Sequence, residues 1–208
     1  KAQLPSGLLA HAGALDATQT QLVRTHVELS LRILDDGNLD RPDVHDMIRT
    51  HHERFDGSGY PGKLRNTEIP LFGRMAAIID SFDAMASDRP HARAITRHDA
   101  LQLLYRHRDQ LFQHELVEQF TACLGVYPVG SLVELSGGEV GVVMAQNPAR
   151  RLRPRILLLT DRDKKLSERF AHLDLMAETR NLTIEQQTHI VRSLAPGAYG
   201  LDPAELYL

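Results

Sequence analysis

The chain has 208 residues, 42% of them hydrophobic and 25% charged, a composition that excludes wholesale disorder and allows one domain or a domain with an appendage. Its formal charge of −3 gives no global reason to expect nucleic acid, and its densest apolar run, Ile156 to Leu159, is far too short to span a bilayer. A single cysteine, Cys123, rules out an internal disulfide and fits a reducing cytoplasm, whereas eleven histidines are an excess that points toward metal.

The first 125 residues read as helices. Thr18 with Gln21 has the pattern of a capping box, followed by Leu22, His26, Leu29 and Ile33 on one stripe and by Gly37 as the stop. Asp40-Arg41-Pro42 opens a second helix that runs through Val44 and Ile48 to His51 and His52. It breaks at Asp56-Gly57-Ser58-Gly59-Tyr60-Pro61, a dense cluster of turn formers. A third helix starts near Pro70 and is expected to turn Met75, Ile78, Ile79 and Phe82 inward. Thr96-Arg97-His98-Asp99 caps a fourth helix, and His114 to Leu124 forms a fifth, closed by Gly125. Cys123 reads as inert core of that last helix.

Beyond Tyr127-Pro128 the pattern changes. Leu132 to Leu135, Val140 to Met144 and Arg155 to Leu159 are short β-branched or apolar runs, the first two joined by the turn Ser136-Gly137-Gly138. Arg150, Arg151, Arg153 and Arg155 read as a solvated hairpin edge that discourages strand pairing. The last stretch is ambiguous, with Thr183 to Leu194 readable as helix and the Pro-Gly and Asp-Pro pairs beyond it arguing for an irregular tail. The expected fold is mainly α: a helical bundle over 1–125, then a small antiparallel β extension and tail over 126–208.

His51 and His52 are sequence neighbours, which point about 100° apart on a helix, so they suit two adjacent ions or one open cluster better than a single ion. His26 lies on the stripe of the first helix, where a histidine reads equally well as a satisfied core residue. Asp80 interrupts the apolar segment Met75-Ala76-Ala77-Ile78-Ile79, and an inward carboxylate is costly unless paired or metal-bound. Imidazole nitrogen with carboxylate oxygen suits iron, manganese or zinc better than magnesium or calcium.

The series His51-His52-Glu53-Arg54-Phe55-Asp56-Gly57-Ser58-Gly59-Tyr60-Pro61, Glu68-Ile69-Pro70, Asp80-Ser81-Phe82-Asp83-Ala84-Met85 and Ser87-Asp88-Arg89-Pro90 resembles the HD-GYP family. These are bacterial phosphodiesterases of the HD superfamily that hydrolyse cyclic di-GMP. The resemblance covers roughly residues 1–125, and the Gly125–Gly130 junction with the sheet after it resembles the extension of one HD-GYP subgroup. It implies an HD-superfamily helical bundle in which His26, His51, His52 and Asp80 hold two or three divalent ions, iron or manganese. It places Asp83 and Arg89 beside the bound dinucleotide and Tyr60 near it on the signature loop. For Arg89 the chemistry agrees, since a planar donor fork can grip a phosphate in two places. Ala92 stands where the family often has a second basic residue, with Arg93 next to it, so that contact is not matched.

Lys1, followed by Pro5 at the family's spacing, corresponds to the lysine of the His-Asp motif and would stabilise charge on the phosphate. The His-Asp pair itself, whose aspartate bridges the metals in the family, is expected to precede Lys1. His45-Asp46 repeats those letters on the helix leading into His51, where the family has no such motif, and is set aside. The implied function is metal-dependent hydrolysis of cyclic di-GMP to the linear dinucleotide, with GMP as a further product open to the family. A non-catalytic cyclic di-GMP receptor with an incomplete metal site is the competing reading, and the residues before Lys1 separate the two. An HD hydrolase of some other nucleotide is disfavoured by Gly59-Tyr60-Pro61. An upstream regulatory domain and a homodimer are compatible with the resemblance.

Overall fold

The computed structural model describes residues 3–11, 13–90, 92–177, 183 and 186–202. The chain forms two compact units, one running to Ala94 and including Leu103–Gln119, the other made of Ile95–Gln102 and the chain from Phe120 onward. Among the described residues no helix is long and apolar enough to cross a membrane.

Helices α1 (Ser6–Leu9), α2 (Ala17–Arg24), α3 (His26–Asp36), α4 (Pro42–Thr50) and α5 (Leu71–Ala86) belong to the first unit. The cap of α2 lies two residues before the expected one. Asp16 Oδ1 accepts from the Gln19 backbone N–H at 2.7 Å, and Gln19 Oε1 accepts from Asp16 N–H at 3.0 Å. A carboxylate satisfies the orphan donors and also meets the positive end of the helix, which a threonine hydroxyl does not. The single helix expected through Ile33 is in fact two. Thr25 donates its hydroxyl to Leu22 O at 2.7 Å, a side-chain bond that competes with the backbone ladder at the joint between α2 and α3. His26 and Val27 are buried after the joint, whereas Leu22 and Ile33 are 42% and 48% exposed, so the expected stripe does not run continuously.

Helix α4 carries Pro42 in its first turn, where no N–H is required, and packs on α5. Their approach is set by Gly73: a Cβ there would lie 1.8 Å from Thr50 Oγ1. Ile78 is buried as expected, but Met75 and Ile79 are 40% and 52% exposed. The α5 segment is apolar almost all round, so periodicity alone does not say which side is core.

Helices α6 (Arg97–Arg106) and α7 (His114–Leu124) have residues in both units. Thr96 caps α6 as read from the sequence, accepting from Asp99 N–H at 3.0 Å, and Gly125 closes α7 at φ +76. Cys123 is exposed, not core. The buried position of α7 is Val117, and six residues at 100° each carry Cys123 to a different face.

The second unit holds a five-stranded antiparallel sheet of β1 (Leu132–Leu135), β2 (Val140–Ala145), β3 (Arg155–Thr160), β4 (Leu166–Asp174) and β5 (Ile190–Leu194), in the order β4-β3-β2-β1-β5. The sheet is thus larger than the three strands expected. Residues of β5 pair with β1 where a helix over Thr183–Leu194 was readable; residues 184 and 185 of that stretch lie outside the described ones. Strand alternation puts Leu132 with Val140, Val142 and Leu159 in one core cluster, and Val133 and Leu135 with Val143 and Ile156 in another. The arginine cluster is not a sheet edge. Arg155 is paired to both β2 and β4, and Arg153 donates to Leu175 O at 3.3 Å and Thr188 O at 3.2 Å.

Candidate metal centre

Three imidazoles meet where the start of α3 faces the end of α4. His26 is the first residue of α3, and His51 and His52 follow Thr50, the last residue of α4. His26 Nδ1 donates to Val23 O and His51 Nδ1 donates to Ile48 O, each at 2.6 Å. A carbonyl can only accept, so both bonds place the proton on Nδ1 and leave a lone pair on Nε2. Those lone pairs converge. His26 Nε2 is 3.3 Å from His51 Nε2 and 3.1 Å from His52 Nε2, and one nitrogen from each ring falls within 4.8 Å of the others. Acceptors held this close repel unless a proton or a cation lies among them. Backbone carbonyls fixing the far nitrogen are the usual second support of metal-bound histidine, so the donor set fits a divalent ion of the imidazole-favouring kind.

Asp80, on α5, lies beside the cluster with Oδ2 3.6 Å from His52 Nδ1. It also lines a cavity of about 590 Å³ with His26, His51 and Asp83, and Met47 of α4 with Phe72, Met75 and Ile79 of α5 add apolar lining. Met75 and Ile79, exposed though apolar, are among its lining. Asp83, which also lines the cavity, accepts from Ser87 Oγ at 3.3 Å through Oδ1.

The loop after His52 folds back on it. Tyr60 stacks on the His52 ring at 4.7 Å and 24°, and its backbone N–H donates to His52 O at 3.2 Å. Burial pushes the Tyr60 hydroxyl above its ordinary pKa, against the pull of Arg24, which keeps it a neutral donor near pH 7. The two glycines of the loop have different reasons. Gly57 takes φ +79, which favours glycine, whereas a Cβ on Gly59 would sit 2.4 Å from Glu53 Cα.

Two residues that sequence reasoning passed over hold this arrangement. Glu53 is 1% exposed and accepts from Gly62 N–H at 2.5 Å and Leu64 N–H at 3.1 Å, tying the far side of the loop to the residue after His52. Arg54 donates to Glu53 O at 2.9 Å and Ser81 Oγ at 3.3 Å and lies over the Phe112 ring. Burial lowers its pKa, and Asp80 is the foremost charge keeping it protonated. The available signal was two opposite charges directly after the histidines and before a loop rich in unpaired N–H groups.

The remaining sequence-predicted residues are placed as follows. Arg89 forms an isolated backbone bridge with Ala92 and is not among the residues lining the cavity. Lys1 lies outside the described residues. His45 turns to Leu39 O at 3.2 Å and Asp35 Oδ1 at 3.8 Å, away from the three imidazoles.

A family profile described as HD domain matches residues 1–116, more than half of the chain. The chain belongs to the HD domain family. A second profile, the KOW domain associated with HD domain, matches residues 132–199, which include the whole of the sheet. Within the family the chain groups with the HD-GYP phosphodiesterases, as its signature loop implies. It is 35% identical over 156 residues to a cyclic di-GMP phosphodiesterase of Pseudomonas aeruginosa, covering 75% of this chain and 37% of that protein. It is 35% identical over 121 residues to a cyclic di-GMP phosphodiesterase of Thermotoga maritima, covering 58% and 33%. A 3'3'-cGAMP-specific phosphodiesterase of Vibrio cholerae is 34% identical over 119 residues, covering 57% and 23%. The matched region thus spans between 23% and 37% of the length of these relatives.

Proposed function

We propose that this HD domain is the catalytic part of a metal-dependent phosphodiesterase that opens cyclic di-GMP to the linear dinucleotide, with GMP as a further product. The observation that carries the reading is the convergence of three Nε2 atoms, from His26, His51 and His52, beside Asp80 and under Tyr60. Relatives named for cyclic di-GMP hydrolysis supply the substrate class.

His26, His51, His52 and Asp80 would hold two or three ions; mixed imidazole and carboxylate donors suit iron, manganese or zinc, and the family resemblance narrows these to iron or manganese. Bound there, such ions supply Lewis acidity toward a phosphodiester and lower the pKa of water. The chain does the rest. Tyr60 offers a neutral hydroxyl donor at the mouth of the site, Asp83 faces the cavity, and Lys1 and Arg89 bring positive charge to the phosphates.

The test is anaerobic loading of the full-length protein with Fe(II) or Mn(II), followed by chromatography of reactions with cyclic di-GMP and, in parallel, 3'3'-cGAMP. Release of the linear dinucleotide from cyclic di-GMP is expected. Tight binding with no linear product would replace the enzyme by a receptor.

A further inference from the structure

Arg24 is the last residue of α2, two positions before His26, and its guanidinium lies 4.6 Å above the Tyr60 ring. Tyr60 in turn stacks on His52, whose Nε2 is 3.1 Å from His26 Nε2. Cation, phenol and imidazole thus form one column that ends in the candidate metal centre. Among the described residues Arg24 pairs with no carboxylate, and it is exposed. A guanidinium held over an aromatic face is positioned without spending its N–H donors, and here no carboxylate among the described residues neutralises its charge. The other arginine of this site, Arg54, is buried and already donates to Glu53 O and Ser81 Oγ.

A cyclic dinucleotide carries two phosphodiesters on one ring, and only one can occupy the reacting position at a time. The second must keep its negative charge near the first, so the site needs a cation that is not itself bound to a carboxylate. We infer that Arg24 is a substrate-holding residue, its fork gripping a non-bridging phosphate oxygen on the Tyr60 side of the imidazole cluster. The inference rests on the proposed function for its nucleotide, and on the Arg24–Tyr60–His52 column for its place.

The experiment compares wild type, Arg24→Ala and Arg24→Lys as metal-loaded full-length proteins. Arg24→Ala should raise KM and the Kd for cyclic di-GMP about ten- to hundredfold, with kcat falling less than KM rises and metal content unchanged. Arg24→Lys should recover part of the loss, because it restores the charge without the planar fork. Affinity in the wild type should weaken with added salt more steeply than in Arg24→Ala. Unchanged KM and Kd in Arg24→Ala, or a loss matched by lost metal, would overturn the assignment. A second arm uses inorganic pyrophosphate, which presents two phosphoryl groups whatever the nucleotide. If the wild type does not cleave cyclic di-GMP, the proposed function falls, and this arm still decides Arg24. Pyrophosphate binding weakened tenfold or more in Arg24→Ala upholds the phosphate-holding role. Equal affinity in both proteins, or none in either, removes it.

Discussion

His26 Nε2 and His51 Nε2 face each other across 3.3 Å, while the opposite nitrogen of each ring donates to a backbone carbonyl at 2.6 Å. In its neutral form each ring therefore presents an Nε2 lone pair to the other.

His51→Ala should therefore abolish bound metal, read by elemental analysis, while the far-ultraviolet circular dichroism of the helices stays within a few per cent of wild type. Among the described residues the ring is bonded to Ile48 O and packed on its two histidine neighbours, so its removal leaves α4 intact. Asp80→Asn should lower metal occupancy and hydrolysis together, since the amide cannot supply the negative charge beside His52. Full metal content in either variant would contradict the ligand assignment.

Glu53→Ala removes a buried carboxylate and with it the acceptor of the Gly62 and Leu64 N–H groups. Denaturant unfolding should show a loss of about 2–4 kcal/mol, and Glu53→Gln, which keeps one acceptor, a smaller one. Equal stability of Glu53→Ala and wild type would mean that the loop is not anchored there.

Gly73→Ala places a methyl group 1.8 Å from Thr50 Oγ1 between α4 and α5. The expected cost is about 1–3 kcal/mol, from overpacking. Thr50→Ala in the same chain should return part of it, because the clash partner is gone, although the Thr50 bond to Asp46 O is also lost. A double-mutant cycle with no coupling between the two sites would deny the close approach.

Glu134 accepts from Lys164 and from Arg192, the latter at 2.6 Å, and these bonds hold its carboxyl below the usual carboxylate range against the opposing effect of burial. A lowered folded-state pKa means stability that is fully present above the pKa of the unfolded glutamate and lost as pH falls through the folded one. Thermal midpoints of the wild type should decline across that acidic window, and Glu134→Gln should flatten the decline. Identical pH profiles would show that the pair of cations does not stabilise β1.

Much of this was legible in the residues. Pro42, Thr96 and Gly125 fixed helix ends through local chemistry, and each end lies where the sequence puts it. The imidazole cluster was readable because its residues stand in a long ordered motif. Other features depend on partners distant in sequence. Strand β4, Leu166–Asp174, mixes apolar and charged positions because it is an edge, so alternation did not mark it. The joint at Thr25 turns on one hydroxyl choosing Leu22 O. Glu53 looked like an ordinary charged neighbour of two histidines until Gly62 and Leu64 came back to it. Arg24 lies 36 residues before the tyrosine it covers, and no spacing rule joins them.

The tether between Glu53 and the far side of the signature loop has a mechanical consequence. Gly59 lies against the backbone of Glu53, Tyr60 is bonded and stacked to His52, and Gly62 and Leu64 hang from the Glu53 carboxylate. Four points of the loop are thus fastened to the two residues directly following His51. Such a loop cannot swing as a flap over the imidazoles, because any swing would drag the imidazoles with it. It works as a ruler: whatever rests on Tyr60 is held at a set distance from the three imidazoles.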